Sequence, residues 1–221
     1  MIKVASVSKK YKRDNKEVTA IDNISLDIME GDFVSIIGPS GSGKSSLLLM
    51  LGGMLSPTEG SILIDQESLY ELTPNERAAL RQKKMGFVFQ TFNLIPYLSA
   101  LQNVQVPLLL AGVDEKKQQA KAQELLERVG LSNRMDHKPA ELSVGQQQRI
   151  ALARMLANDP SIIFADEPTG NLDPEMSRQV ISFLLELNQE GRTIIMVTHD
   201  MKVAKQAKRI ITISTGGKVN V

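Results

Sequence analysis

The chain has 221 residues, of which 42% are apolar and 23% charged, with a net charge of +1 and no cysteine. This is the composition of one ordinary globular domain; it excludes a disulfide framework or a thiolate metal site, and it offers no bulk charge to hold nucleic acid or an anionic membrane surface. The amino-terminal stretch lacks the apolar core of a secretion signal, and the longest apolar runs, such as VPLLLAGV, fall well short of the roughly 18 residues that span a bilayer. The chain is therefore expected to be soluble and cytoplasmic, with any link to a membrane made through another chain.

Taken in order, Ile24, Leu26 and Ile28 alternate with polar residues, the pattern of a half-buried strand. FVSIIG is a nearly continuous apolar run; a Gly- and Ser-rich loop and then SSLLLMLGG follow it, which predicts buried strand, tight loop and helix. SILID and GFVFQ predict further short strands. Between them TPNERAALRQKK predicts a helix capped by Thr73 with Pro74 in its first turn. From Thr91 to Ala157 strand signals stop. DEKKQQAKAQELLERVG, closed by Gly130, and SVGQQQRIALARMLAN predict helices there. Strands return as SIIFAD and TIIMVT, with a helix between them opened by Asp173 and Pro174. Strands alternating with helices predict an α/β fold with a parallel sheet, interrupted by a helical insert.

The loop Gly38, Pro39, Ser40, Gly41, Ser42, Gly43, Lys44, Ser45 matches G-x-x-x-x-G-K-[ST], and it sits between an apolar strand and an apolar helix, as that motif requires. Glycines let backbone N–H groups wrap closely around phosphate oxygens, and the helix behind adds its positive end. Lys44 would then reach the β- and γ-phosphates and the Ser45 hydroxyl would ligate Mg²⁺. In SIIFADEPTGNLD an apolar strand leads to Asp166 at its carboxyl end, where ligands collect in open α/β sheets. Asp166 is a candidate for the metal and Glu167 for the general base that activates water. Gln90 and His199 each end a predicted strand at the same edge. Gln90 could serve the γ-phosphate, the metal or the water; a strand-terminal His199 on its own is equally a structural residue. His137, in a turn-like stretch, has no expected role. Tyr11 stands in an otherwise charged stretch read as a loop. It is either an adenine-stacking ring or a half-buried surface tyrosine.

Leu142, Ser143, Val144, Gly145 and Gln146 open the last helix of the insert. Ser143 and Gln146 form a capping-box pattern. That leaves Gly145, where Ala would favour the helix by roughly 1 kcal/mol. A glycine there suits a close approach to the backbone, and a helix amino terminus most often receives an anion. With one phosphate site already present, the economical reading is a single nucleotide touched by two copies of the chain.

Together these motifs resemble the ATP-binding cassette (ABC) ATPases, over essentially the whole chain. The resemblance implies a P-loop NTPase, RecA-like α/β core with an antiparallel β subdomain and an inserted helical subdomain. In that scheme residues 1–90 and 158–221 form the core with its β subdomain and residues 91–157 the helical signature subdomain, all within a single domain. Gly38 to Ser45 match Walker A, Asp166 the Walker B aspartate and Glu167 the catalytic glutamate. Gln90 matches the Q-loop, Leu142 to Gln146 the signature, Asn171, Leu172 and Asp173 the D-loop, and His199 the switch histidine. Tyr11 falls where the adenine-stacking aromatic lies. The implied nucleotide contacts are Tyr11, the loop through Ser46, and, through the signature and D-loop, Ser143, Val144, Gly145, Gln146 and Asp173. Lys44, Gln90, Glu167 and His199 are the implied catalytic residues, and Ser45, Gln90 and Asp166 the implied Mg²⁺ ligands.

The stretches FVFQTFNLIPYLSALQNVQVPLLLAGV, ADEPTGNLD and VTHD are similar to the branch of macrolide and antimicrobial-peptide exporters and the lipoprotein-release complex. That branch implies an ATP-bound homodimer beneath an integral membrane permease, peripheral on the inner face of the cell membrane. A regulatory subunit acting through a membrane partner on cell-wall enzymes is the alternative. A DNA-acting relative would need a long coiled-coil insert, for which there is no room between Gln90 and Ser143, so no nucleic-acid partner is expected. The family signature usually has Gly where Val144 stands, a departure that bears on turnover rather than on the presence of the site. Phe92, Leu94, Ile95, Tyr97 and Leu98 are expected either to receive a helix of the permease or to belong to the core of the insert.

Overall fold

The computed structural model describes residues 1–13 and 16–220, so Asp14, Asn15 and Val221 of the expected segments lie outside it. β1 (Ile2–Arg13) and β2 (Lys16–Ile28) are antiparallel partners, with Ile2 opposite Ile28 and Tyr11 opposite Val18. Tyr11 therefore lies in a strand, not in the loop expected for it. In β1 the alternation that would have shown the strand breaks at Ser6, which has φ +49, and the register against β2 shifts on either side of Val7. The charged residues beyond the shift obscure the period in the sequence.

β3 (Phe33–Ile37) leads through the glycine-rich loop into α1 (Lys44–Leu51). β4 (Glu59–Ile64) then pairs with β1, and β5 (Glu67–Ser68) pairs with β4, completing an antiparallel sheet of order β2-β1-β4-β5. α2 (Pro74–Lys84) is opened by a reciprocal cap between Thr73 and Glu76 and leads directly into β6 (Met85–Phe89).

α3 (Ala100–Leu110), α4 (Glu115–Arg128) and α5 (Val144–Met155) follow consecutively before the chain returns to the sheet as β7 (Ile162–Asp166). α3 was not expected from the sequence. It is capped by Ser99 and Gln102 and carries Pro107 within it, so a proline inside an apolar run masked the helical period. α6 (Pro174–Gln189), β8 (Thr193–Val197), the short α7 (Met201–Ala204), β9 (Arg209–Ile213) and β10 (Val219–Asn220) complete the chain.

The second sheet has the order β10-β9-β3-β8-β7-β6. Pairings among β9, β3, β8, β7 and β6 are parallel, and β10 joins β9 antiparallel. Its strands are apolar on both faces because both are covered. Val34, Ile36, Phe164, Ile195 and Val197 pack with α1 and the antiparallel sheet. The intervening Phe33, Ile163, Ala165, Ile194 and Met196 pack on the other side with residues of α3, α4, α5 and α6. The core of the helical segment is thus continuous with one face of the sheet. The carboxyl ends of β3, β6, β7 and β8 lie along one edge, and the residues that follow them are Gly38, Gln90, Glu167 and Thr198.

Candidate active site

The loop after β3 needs its glycines for space. A Cβ at Gly38 would stand 2.2 Å from the Ile213 carbonyl oxygen, and one at Gly43 would stand 2.2 Å from that of Ala20. Gly43 is also left-handed, with φ +95. It opens α1, which has no side-chain cap and no acidic residue in its first turn. Each other α-helix among the described residues is capped, by Thr73, Ser99, Asp114, Ser143, Asp173 or Asp200. The amino terminus without a side-chain acceptor is thus the one flanked by the glycine loop, and its amides are free to bind an anion. Lys44 folds back across this loop; its Nζ donates to the Gly38 and Pro39 carbonyls, each at 2.9 Å. The ammonium is held over the space an anion would enter, on partners it can exchange for stronger, charged acceptors. Ser46 lies in the first turn of α1, its hydroxyl 3.2 Å from the Tyr11 hydroxyl. The Tyr11 ring is half-exposed beside the loop, and Lys9 Nζ sits 5.3 Å from its centroid.

The Ser45 hydroxyl donates to Asp166 Oδ1 at 3.1 Å. Burial pushes the Asp166 carboxyl above its ordinary value; the Ser45 bond opposes this, Glu167 adds to it and Lys44 opposes it. A desolvated carboxylate beside a hydroxyl is a hard-oxygen donor pair short of a cation, which fits Mg²⁺. Among the described residues no three His, Asp or Glu side chains gather as a metal cage.

Glu167 is the first residue beyond Asp166. Its amide donates to the Val197 carbonyl at 2.9 Å, while its φ of +48 is a left-handed value that costs a non-glycine residue. This geometry presents the carboxylate to His199, whose Nδ1 is 2.9 Å from Oε1, and the His199 amide donates to Oε2 at 3.4 Å. Gln90 follows β6, where Phe89 is in register with Asp166. Its side chain lies on the Gly170–Asn171 turn: its backbone carbonyl accepts from Asn171 Nδ2 at 3.1 Å and its Nε2 donates to Asn171 Oδ1 at 3.4 Å. Asp173 caps α6, accepting from the amides of Glu175 and Met176, both at 2.9 Å.

At α5 the capping box is formed. Ser143 Oγ accepts from the Gln146 amide at 3.3 Å, and Gln146 Oε1 accepts from the Ser143 amide at 3.0 Å. Gly145 is explained within the chain: a Cβ there would stand 2.7 Å from Met176 Sδ, in the first turn of α6. The close approach inferred from the glycine is made by a methionine, so Gly145 by itself is no evidence for an anion. Val144 is 50% exposed. No hydrogen bond joins Ser143, Val144, Gly145 or Gln146 to the Lys44 loop among the described residues.

Three contacts were not found from the sequence. Asn171 holds Gln90. Buried Gln148 donates to the Pro168 carbonyl at 2.9 Å, tying α5 to the residue after Glu167. Arg154 grips the chain just beyond Gln90. Each joins segments far apart in the chain, the turn after β7 to the end of β6, α5 to the turn after β7, and α5 to the stretch after β6, which local spacing does not show.

A glycine loop leading into an uncapped helix, a lysine across it and a serine–aspartate pair at the carboxyl edge of a parallel sheet define a P-loop nucleoside triphosphatase of the α/β class. Residues 21–170 match the family model for ABC transporters. The chain is 45% identical over 216 residues to the uncharacterized ABC transporter ATP-binding protein YvrO of Bacillus subtilis, covering 98% of this chain and 94% of that one. It is 47% identical to the macrolide export ATP-binding/permease protein MacB of Syntrophobacter fumaroxidans, spanning 98% of this chain and 31% of that longer protein. A solved dimer of the ATP-binding cassette MJ0796, in a post-hydrolysis state bound to ADP and Pi, superposes with a TM-score of 0.93 at 43% identity, covering 100% of this chain and 97% of that one. The chain belongs to the ABC transporter family as an ATP-binding ATPase domain of the cassette fold.

Proposed function

We propose that this chain is the Mg²⁺-dependent motor of an export or extrusion system, closing as a homodimer on ATP and driving a separate permease. The observation that carries this is the convergence on one sheet edge of the open α1 terminus, the Ser45–Asp166 pair and the Glu167–His199 pair. On substrate binding Lys44 exchanges the Gly38 and Pro39 carbonyls for phosphate oxygens. Ser45, Asp166 and Gln90 are the side chains that would hold Mg²⁺, and the ion would neutralise charge developing on the phosphates. Glu167 accepts the proton of the attacking water, and His199 holds its carboxylate in place. Tyr11 offers its ring to the base. Ser143, Val144, Gly145, Gln146 and Asp173 face the nucleotide of the second copy. The dimeric MJ0796 cassette and the exporter MacB among the relatives support the pairing and the direction of transport; a peptide, an antibiotic or a lipoprotein is the class of cargo.

Residues 91–157 then move as a helical unit against a core made of residues 1–90 and 158–221. No helix among the described residues is long and apolar enough to cross a membrane. Because it belongs to a transporter family, we place the chain on the inner face of the membrane through its permease. The docking face is a groove of about 670 Å³ whose lining includes Met54, Ala78, Phe89, Leu110 and Met155, with exposed Leu109 and Tyr97 as further apolar surface. Of the cluster read from the sequence, Leu94 packs against the core instead. The decisive experiment is ATP turnover with Mg²⁺ in the full chain and in Lys44→Ala. We expect the variant to lose nucleotide affinity by at least about tenfold, since a charge-assisted contact to phosphate is removed. Equal affinity and turnover in the two proteins would refute the assignment.

A further inference from the structure

α5 carries the Ser143–Gln146 motif at its amino end and Arg154 near its carboxyl end. Arg154 leaves α5 for the stretch that follows Gln90. Its two terminal nitrogens donate separately to consecutive carbonyls, Nη1 to Asn93 and Nη2 to Phe92, each at 2.6 Å. Those two residues are both left-handed, with φ +55 at Phe92 and +51 at Asn93. Neither is glycine, and for a side chain as bulky as Phe the region is sterically disfavoured. Locally the pair is supported by the Thr91 hydroxyl, which donates to Asn93 Oδ1 at 2.9 Å, and by a turn in which the Phe92 amide donates to the Phe89 carbonyl at 3.1 Å. Gln90 lies inside that turn.

Arg154 pairs with no carboxylate among the described residues, and burial lowers its affinity for its proton. A planar fork with two fixed donor directions suits two adjacent carbonyls as a point-charge lysine does not. Arg154 also lines the groove between α2, β6 and α3. One side chain therefore joins α5, which carries it, to the left-handed pair after Gln90 and to the groove.

We infer that Arg154 is a positioning residue that latches the left-handed pair Phe92–Asn93 and so fixes Gln90 relative to α5. Released, the pair relaxes toward ordinary backbone and the Gln90 turn opens; engaged, movement of α5 is transmitted to Gln90. A partner in the groove reaches the latch directly. This deepens the ATPase reading and rests on it for its consequence, while the latch itself is testable without nucleotide.

The test is amide hydrogen exchange of the nucleotide-free full chain, read as protection factors for residues 91–95, together with steady-state ATPase kinetics. Arg154→Gln should lower protection there by about tenfold, the scale of losing hydrogen bonds to a charged donor. Its kcat should fall several-fold, with KM for ATP changed by less than about twofold, because no ground-state nucleotide contact is removed. Adding Phe92→Gly should restore at least half of the lost protection on a logarithmic scale, because glycine takes the left-handed region without a Cβ clash. A guanidinium that only fills space predicts no such rescue. Unchanged protection in Arg154→Gln, or protection lowered further by Phe92→Gly, overturns the latch. If Arg154→Gln does not fold, Arg154→Lys, which keeps stem and charge, should lose about threefold and be rescued in the same way. A wild-type chain that hydrolyses no ATP would defeat the functional reading and leave the exchange result to decide the latch.

Discussion

His199 Nδ1 stands 2.9 Å from Glu167 Oε1, and the amide of the same histidine donates to the other carboxylate oxygen at 3.4 Å. Glu167 reaches this position only through a left-handed backbone, with φ +48. The cost of that conformation places a carboxylate at the sheet edge next to Asp166 with its direction fixed by a neighbour, which is the arrangement a positioned general base requires.

Glu167→Gln should spare ATP binding and slow the chemical step by roughly 10²–10⁴. His199→Ala should slow it by roughly 10–10², the worth of a hydrogen bond to a charged group. With His199 proposed to act through Glu167, the double variant should be no slower than Glu167→Gln alone. Single-turnover rates of the three proteins at saturating ATP check this. Multiplicative losses in the double variant would show that His199 works independently of Glu167.

Asp166, proposed to hold Mg²⁺, also carries a cost to the fold. Burial raises its folded-state pKa, with the Ser45 hydroxyl opposing the rise. A carboxyl raised on folding favours the fold in its protonated form. Its stabilising contribution is complete below the unfolded-state value and is lost as pH rises through the folded one. At neutral pH the ionised group therefore weakens the nucleotide-free fold. Asp166→Asn should raise the melting temperature of the free chain at pH 7 and cut ATP turnover by at least about a hundredfold, the worth of a preorganised electrostatic contact. The gain in melting temperature should vanish when measured below the ordinary carboxylate range. A gain that persists at acid pH would place the effect in packing rather than ionisation.

Gly145 and Met176 make a second testable pair. Ala at the second position of a helix is worth roughly 1 kcal/mol over Gly. In this chain the methionine sulfur occupies the space a Cβ needs, at 2.7 Å. The end of a methionine side chain can give way, so Gly145→Ala alone should give only part of that gain. On a Met176→Ala background it should return up to about 1 kcal/mol, so the double-mutant cycle reports a positive coupling of no more than that size. Chemical denaturation of the four proteins measures it, and additivity would remove Met176 as the reason for the glycine.

The same pair shows how far the sequence could be read. The Lys44 loop was legible because backbone crowding at Gly38 and Gly43 requires glycine wherever such a loop occurs. The strands leading to Gln90, Asp166 and His199 were legible because strands covered on both faces are written as unbroken apolar runs. Gly145 showed that something approached the helix, but not what, since Met176 is brought there by the packing of α6 against α5. Tyr11 was misplaced because a register shift hides the period of β1. α3 was missed because Pro107 sits in its last turn. Arg154 belongs to none of the sequence motifs, and only the course of the backbone at Phe92 and Asn93 gives it partners.

Val144 tests whether α5 serves a second copy of the chain. Half-exposed at the first position of the helix, it projects where a partner's phosphates are proposed to lie. Replacing Ser143 would also remove a cap worth about 1 kcal/mol, confusing folding with function. Val144→Glu avoids that difficulty: an acidic residue in the first turn is favourable by roughly 0.3–1 kcal/mol, so the isolated chain should melt no lower than wild type. In a dimer the same carboxylate would face the phosphates held by the other copy's Lys44 and repel them. On a Glu167→Gln background, ATP should convert the 24.3 kDa chain into a species of twice that mass by light scattering, and adding Val144→Glu should prevent it. Val144→Gly should leave dimer formation intact, with turnover held or raised. An ATP-dependent dimer that survives Val144→Glu would return Ser143 and Gln146 to the role of a helix cap and nothing more.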